Sequence, residues 1–207
     1  MTQNFPGIYR YQAEIKMGER VMKLSTSTEI RQEGSTWRVT DKVATPGGEA
    51  VDEAVLDGKS LALIRRVINQ GPVNYSLEVK ENRLTGTMKV QGNEKPVEAD
   101  LGGPLFADAA GAAHAIAALP LAAGYETHFR NFDVQKQKPK LMRLRVAGQE
   151  TVTVPAGTFD GLRVEISSAE GGPDKMTVWV TRDSRKPVKI SAVMTQRGGA
   201  VMTAELQ

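Results

Sequence analysis

The chain has 207 residues, a small formal net charge of +3 and no cysteine. This length is enough to bury a core without staples, and the lack of cysteine excludes structural disulfides and thiolate metal sites. The N-terminal residues show no basic stretch followed by an apolar run, and no run of about 18 apolar residues occurs. The sequence therefore predicts neither a signal peptide nor a transmembrane segment.

The N-terminal half alternates apolar and polar residues with a period of two, the pattern of strands with one buried face. It predicts about eight strands over residues 8–101. In the third of these strands, Trp37, Val39, Asp41 and Val43 share one face. Turn signals rich in Gly and Asn separate neighbouring strands, which indicates antiparallel hairpins.

One segment departs from this alternation. Residues 105–118 are rich in Ala, the best helix former, and they lie between Pro104 and Pro120. We predict the single α-helix of the chain here. Because this helix divides two long runs of strands, we expect it to act as a lid or plug on the concave face of the sheet.

About seven strands are predicted over residues 124–206, and residues 141–146 and 152–154 count as two of them. A strongly twisted sheet with so many strands must curl, since open sheets rarely exceed about ten strands. We predict a mainly β fold: one domain, residues 1–207, in which a large antiparallel meander curls into an incomplete, unclosed β-barrel around one helix.

Several motifs in the C-terminal half are similar to those of a known family. They are Leu119-Pro-Leu-Ala-Ala-Gly-Tyr125-Glu, Arg130-Asn-Phe-Asp133, Val152-Thr-Val-Pro-Ala-Gly-Thr-Phe-Asp160, Val164-Glu165 and Arg185-Lys-Pro-Val-Lys189. Over residues 119–207 the chain resembles the bacterial domain of unknown function DUF 3108, whereas the N-terminal strands resemble the family only in pattern. The resemblance implies an exported protein of the periplasm or cell envelope, with a fold similar to the unclosed barrel and helical lid of lipoprotein carriers. It implies no catalytic residues.

The sequence contains no pattern of a familiar catalytic or metal site. His114 and His128 are the only histidines, and no His-x-x-x-His or Asp-x-Asp cluster accompanies them. Gly-x-Ser-x-Gly and glycine-rich phosphate loops are also absent. We expect no metal, no cofactor and no enzymatic activity. A hydrolase of unrecognised type stays open as an alternative.

A half-barrel leaves a concave apolar surface, the usual place for a small ligand. We predict a non-enzymatic cell-envelope module that binds an acyl chain or another hydrophobic molecule there. The predicted lining residues are Phe106, Ile116, Leu119, Tyr125, Phe129, Met176 and Trp179. For Trp179 two placements stay open: it lines the concave face, or it covers an outer patch with its indole N–H bonded to a rim residue.

The positive excess of the chain lies in its C-terminal half, where a basic stripe has only Asp133 as local opposition. The stripe is Lys136, Lys138, Lys140, Arg143 and Arg145. It fits either the solvated face of an edge strand or a surface for an anionic partner. The second reading corresponds to an accessory protein-interaction domain of a larger exported protein. Few aromatic residues interleave with the stripe, so we expect no nucleic-acid binding.

Overall fold

The structure, a computed structural model, describes residues 6–45, 47–194 and 198–207. Residues 1–5 lie outside the described residues. They belong to the N-terminal stretch in which the sequence predicts no signal peptide. The strands are β1 (Gly7–Met17), β2 (Arg20–Glu33), β3 (Thr36–Thr45), β4 (Gly48–Asp57), β5 (Leu63–Gln70), β6 (Val73–Lys80), β7 (Arg83–Val90), β8 (Asn93–Asp100), β9 (Glu126–Asp133), β10 (Lys138–Val154), β11 (Gly157–Ser168), β12 (Lys175–Thr181), β13 (Pro187–Met194) and β14 (Ala200–Leu206). The helix α1 spans Ala112–Ala117. Within the described ranges, no helix is long and apolar enough to cross a bilayer.

The fourteen strands form one antiparallel sheet, and each strand from β1 to β7 pairs with the next along the chain, as does each strand from β9 to β13. The two series join where β1 pairs with β14, with Tyr11 opposite Leu206 and Ile15 opposite Met202. The ends of the sheet are therefore β8 and β9, which are not paired with each other in the part of the chain described. This arrangement confirms the predicted mainly β, unclosed barrel.

Residues 101–125 connect β8 to β9, and we call them the crossing segment because they pass over the sheet from one end to the other. We call the face on which they pack the inner face. The main core lies between the two and draws on both series of strands: Leu77 and Leu144, for example, are 1% and 0% exposed. Alternating strand residues supply this core because successive side chains point to opposite faces.

The C-terminal series has six strands instead of the predicted seven. Residues 141–146 and 152–154 belong to one 17-residue strand, β10, which contains an irregularity between Val146 and Gly148. A β-bulge of this kind inserts one extra residue and bends a strand without ending it. The residues between the two apolar runs include Gly148 but stay paired with β11, and the break in their alternation reflects the bulge.

The helix is shorter than the predicted 105–118. Leu105 and Phe106 are extended and form single bridges to Arg130 and Ala62, respectively. Ala107 and Gly111 have positive φ angles of 48° and 73°, which an α-helix does not tolerate. The high helix propensity of Ala is therefore realised only after Gly111, because contacts with the sheet hold the preceding residues in other conformations.

Gly86 in β7 provides a test of the sheet register. A Cβ at this position would lie 2.0 Å from the backbone oxygen of Ser76 in β6, whereas a Cβ at Gly148 in β10 would meet nothing within 4 Å. We expect Gly86→Ala to lower the free energy of unfolding by about 1–3 kcal/mol through overpacking. Gly148→Ala is the matched control and should have little effect. Urea unfolding of both variants measures the difference, and equal stabilities would contradict the β6–β7 packing.

Candidate functional site

The crossing segment joins the two ends of the sheet through a short extended stretch. The backbone N–H of Leu63 donates to the carbonyl of Leu105 at 2.9 Å, and the N–H of Phe106 donates to the carbonyl of Arg130 at 3.0 Å. One side of this stretch therefore contacts the chain at the start of β5, and the other contacts β9. From Ala107 to Gly124, the described backbone-to-backbone hydrogen bonds stay within the segment itself.

Helix α1 begins in direct contact with β3. The N–H of Gly111 donates to Asp41 Oδ2 at 3.0 Å. A Cβ at Gly111 would lie 2.6 Å from Val39 Cγ1, so the absence of a side chain lets the helix start pack closely on the strand. The positive φ of 73° at this residue also suits glycine.

His114 lies on the buried side of α1 against two tyrosines of β1. Its ring centroid is 4.4 Å from that of Tyr9, and its Nε2 is 3.4 Å from Tyr11 Oη. The Tyr11 hydroxyl donates to the carbonyl of Pro187 at 2.9 Å. Burial lowers the pKa of His114 to about 3, so the imidazole is neutral at physiological pH.

A four-residue polar group attaches the crossing segment to the inner face, and we call it the carboxylate cluster: Asp41, Asp52, Arg66 and Asp108. Arg66 Nη2 donates to Asp52 Oδ2 at 2.7 Å, and Arg66 Nη1 donates to the carbonyl of Asp108 at 2.8 Å. Asp108 Oδ1 accepts the N–H of Phe132 at 2.7 Å. Asp41 Oδ1 accepts the hydroxyl of Thr28 at 2.5 Å.

Burial changes the protonation of two members of this cluster. It raises the pKa of Asp41 to about 6, although the Thr28 hydroxyl and the Gly111 N–H oppose the shift. It raises the pKa of Asp108 to about 7, against the attraction of Arg66. Desolvation of the charged form outweighs hydrogen bonding in both cases. The sequence analysis does not identify this cluster. In β3, however, Asp41 lies on the same face as the apolar residues Trp37 and Val39, and a carboxyl group on an apolar face could have indicated the cluster.

A small cavity lies between α1 and strands β2 to β4. Its volume is about 10 Å³, which is room for about one water molecule. The lining residues are Ile30, Trp37, Val39, Leu56, Leu61, Gly111, His114 and Ala115. The side chains that line this cavity leave no room for a larger molecule there.

Six of the seven residues predicted to line a ligand site belong to the main core or pack against it. Ile116 and Phe129 are buried in the main core, and the partly buried members pack against it: Phe106, Leu119, Tyr125 and Met176. The rings of Phe106 and Phe129 meet edge-on, with centroids 5.5 Å apart. These contacts link the crossing segment to β9, since Phe106 lies on the segment and Phe129 on the strand.

Trp179 lies apart from the other six. It is flanked along β12 by Val178 and Val180, which are in the main core, so its side chain points to the opposite face. Its indole N–H donates to Glu150, and the ammonium of Lys189 is 5.8 Å from the ring centroid. The ring packs against a separate cluster of Val152, Val154 and Val188. This is the second of the two placements that the sequence left open.

The basic stripe has more acidic partners than the sequence indicated. Lys140 lies 2.8 Å from both Asp133 and Asp174. The other partners come from neighbouring strands, Glu126 for Arg143 at 2.7 Å and Glu165 for Arg145 at 2.6 Å. Lys136 and Lys138 are exposed at and after the β9–β10 turn. Strand pairing, which local sequence does not reveal, neutralises much of the stripe.

The stripe's ion pairs should add little stability. The side chains of Arg143 and Glu126 are 48% and 40% exposed, so solvent screens their attraction. We expect a double-mutant cycle with Arg143→Ala and Glu126→Ala to give a coupling free energy of about 1 kcal/mol or less, decreasing with added salt. Urea unfolding of the four proteins measures it. A coupling of several kcal/mol would show that the pair is a structural element.

The crossing segment should contribute to the core through Ile116, which is 0% exposed. We expect Ile116→Ala to lower the free energy of unfolding by about 2–5 kcal/mol, because the cavity left behind loses packing as well as burial. The partly buried Leu119, one turn further on, is the matched control, and Leu119→Ala should cost clearly less. Equal losses by chemical denaturation would contradict the described packing of α1.

In the described residues, no group of three or more His, Asp or Glu side chains is arranged to hold a metal ion. The candidate site consists of the apolar inner face, the short helix α1 over it, and the carboxylate cluster at the start of that helix.

The fold is similar to that of one solved structure at low sequence identity, and two further structures align with lower TM-scores. A β-barrel-like protein of domain of unknown function DUF1849 from Brucella abortus aligns with a TM-score of 0.58 and 10% identity, over 98% of this chain and 96% of that chain. A DUF1329 family protein from Desulfovibrio piger aligns at a TM-score of 0.32 and 11% identity, over 97% and 82% of the two chains. A Bacteroides fragilis protein with a YmcC-like fold aligns at 0.30 and 11%, over 98% and 96%.

None of the curated proteins compared with the chain matches it. A family model described as "Protein of unknown function (DUF3108)" matches residues 8–205. The match includes the N-terminal strands, for which the sequence showed resemblance only in pattern. Because the model spans both series of strands and the crossing segment, the chain belongs to the DUF3108 family.

Proposed function

We propose that the protein is a non-enzymatic module of the cell envelope that holds an acyl chain or another hydrophobic molecule on the inner face, beneath the crossing segment. The observation that carries the proposal is the way this segment is attached. Between Ala107 and Gly124 its described backbone hydrogen bonds are internal, apart from those made with the side chains of Asp41 and Arg66. The helix can therefore leave the inner face without breaking a strand ladder.

Energetics favour an apolar occupant once the helix has moved. Uncovering a buried side chain such as Ile116 or Leu121 costs about 1.5–3 kcal/mol, whereas a buried methylene contributes about 0.8 kcal/mol. An acyl chain of about 16 carbons would thus contribute on the order of 10 kcal/mol, enough to offset several uncovered residues. In this proposal the ligand contacts Phe106, Ile116, Leu119, Tyr125, Phe129 and Met176, and Trp179 stays outside the site. The envelope location rests on the family resemblance.

The segment can be locked by a disulfide, because the chain has no cysteine of its own. A Cβ at Gly111 lies 3.5 Å from Val39 Cβ, which is within the range of natural disulfides. We expect the reduced Val39→Cys/Gly111→Cys protein to take up palmitate, seen as an adduct by native mass spectrometry. The oxidised protein should take up at least about tenfold less, because the helix start can no longer leave β3.

The single variants Val39→Cys and Gly111→Cys are the controls for lost packing and for a side chain at positive φ. Both should behave the same with and without reductant. Equal uptake by the oxidised and reduced double variants would contradict a site beneath the helix. If the unaltered protein neither carries an extractable lipid nor takes up palmitate, the inner face is a filled core, and the accessory interaction domain becomes the better proposal.

A further inference from the structure

The carboxylate cluster lies at the point where the crossing segment is attached to the strands. The carboxyl of Asp41 in β3 accepts a hydrogen bond from the N–H of Gly111, and Arg66 in β5 donates one to the carbonyl of Asp108. The carboxyl of Asp108 in turn accepts a hydrogen bond from the N–H of Phe132 in β9. These three contacts position Asp108 and Gly111, which lie just before α1.

The cluster contains more carboxyl groups than nearby cations. Arg66 is paired with Asp52, to which its Nε and Nη2 both donate. Asp41 lies directly opposite Asp52 across the β3–β4 pair, so two acidic side chains share one face of the sheet. Lys140 attracts Asp108 but is itself bound to Asp133 and Asp174. With all three carboxyls ionised, the closed segment therefore confines an excess of negative charge.

The geometry points to a proton-controlled latch: protonation of Asp41 and Asp108 favours the closed crossing segment, and their ionisation favours its departure from the inner face. The inference concerns regulation of the proposed ligand site and rests on the proposed function to that extent. It follows from where these two carboxyls lie, since Asp41 contacts the segment at Gly111 and Asp108 belongs to it.

The direction of the pH dependence follows from the pKa values. In the closed state the pKa is about 6 for Asp41 and about 7 for Asp108. In the open, hydrated state both should return to about 3.9. The closed state is thus favoured most below about pH 4, and this advantage is lost as the pH rises through the two closed-state values. Above about pH 8 the two carboxyls add no further pH dependence.

His114 changes the equilibrium in the opposite direction, whereas Tyr9, Tyr11 and Arg66 keep their charge states between pH 5 and pH 8. Its pKa is about 3 when the helix is closed, so its protonation on opening favours the open state as the pH falls below 6.5. Tyr9 and Tyr11, which face it from β1, have raised pKa values and stay neutral. Arg66 stays charged. Two carboxyls oppose one imidazole, so opening should increase overall between pH 5 and pH 8.

Native-state hydrogen exchange of the unliganded protein tests the latch. We expect the protection factors of amides in residues 105–121, which already allow for the intrinsic pH dependence of exchange, to fall by about tenfold or more from pH 5 to pH 8. In Asp41→Asn/Asp108→Asn the trend should reverse, because His114 alone remains. Asp108→Asn by itself should give an intermediate slope. Asp160→Asn, an exposed residue bonded to Thr151 in the β10–β11 pair, is the matched control and should follow the unaltered protein.

The same pH dependence in the unaltered protein and in Asp41→Asn/Asp108→Asn would overturn the latch. So would an unaltered protein whose protection rises with pH. Uptake of N-phenyl-1-naphthylamine, an apolar probe that is uncharged at pH 5 and pH 8, is measured in parallel. Absence of probe uptake would contradict the proposed function, and the exchange result would then decide the latch by itself. Uptake together with pH-independent exchange would contradict the latch but not the proposed function.

Discussion

The antiparallel pairing of β1 with β14 determines the rest of the architecture. It joins the first and last strands of the chain in the middle of the sheet, so that β8 and β9 become its two ends. The connection between these ends cannot be a short hairpin, because twelve of the described strands lie between them in the sheet. It passes over the inner face instead. The position of helix α1 is therefore a consequence of strand pairing far from it in the chain.

Small residues make this crossing compatible with a packed interior. Ala113, Ala115 and Ala117 are buried on α1, and Gly111 allows the helix start to touch Val39. Between them Ile116 supplies the largest side chain that the helix buries. The cavity beneath the helix start is about 10 Å³, so a ligand at this place would have to displace the helix from the inner face.

The attachment of the segment differs in kind from that of the strands. Each strand is held by a ladder of backbone hydrogen bonds that form and break together, whereas the start of α1 is held by a few bonds to side chains. A single hydrogen bond contributes about 0.5–1.5 kcal/mol net to stability. Two of the acceptors here are the carboxyls of Asp41 and Asp108, and burial raises the pKa of both. Movement of the segment therefore leaves the strand ladders intact, and it is the movement on which both proposals depend.

The sequence by itself determined that the chain is mainly β, because the alternation of apolar and polar residues is a local property of consecutive residues. The turn signals between the strands indicated antiparallel pairing, and the number of strands indicated that the sheet must curl. Composition likewise located the helix. Local sequence could not determine which strands become neighbours, so the β1–β14 pair, the ion pairs of the basic stripe and the carboxylate cluster appeared only in the tertiary structure. The extent of the helix was decided there too, since Leu105, Phe106 and Asp108 bond to Leu63, Arg130, Arg66 and Phe132, residues distant in the chain, and those contacts override the propensity of Ala.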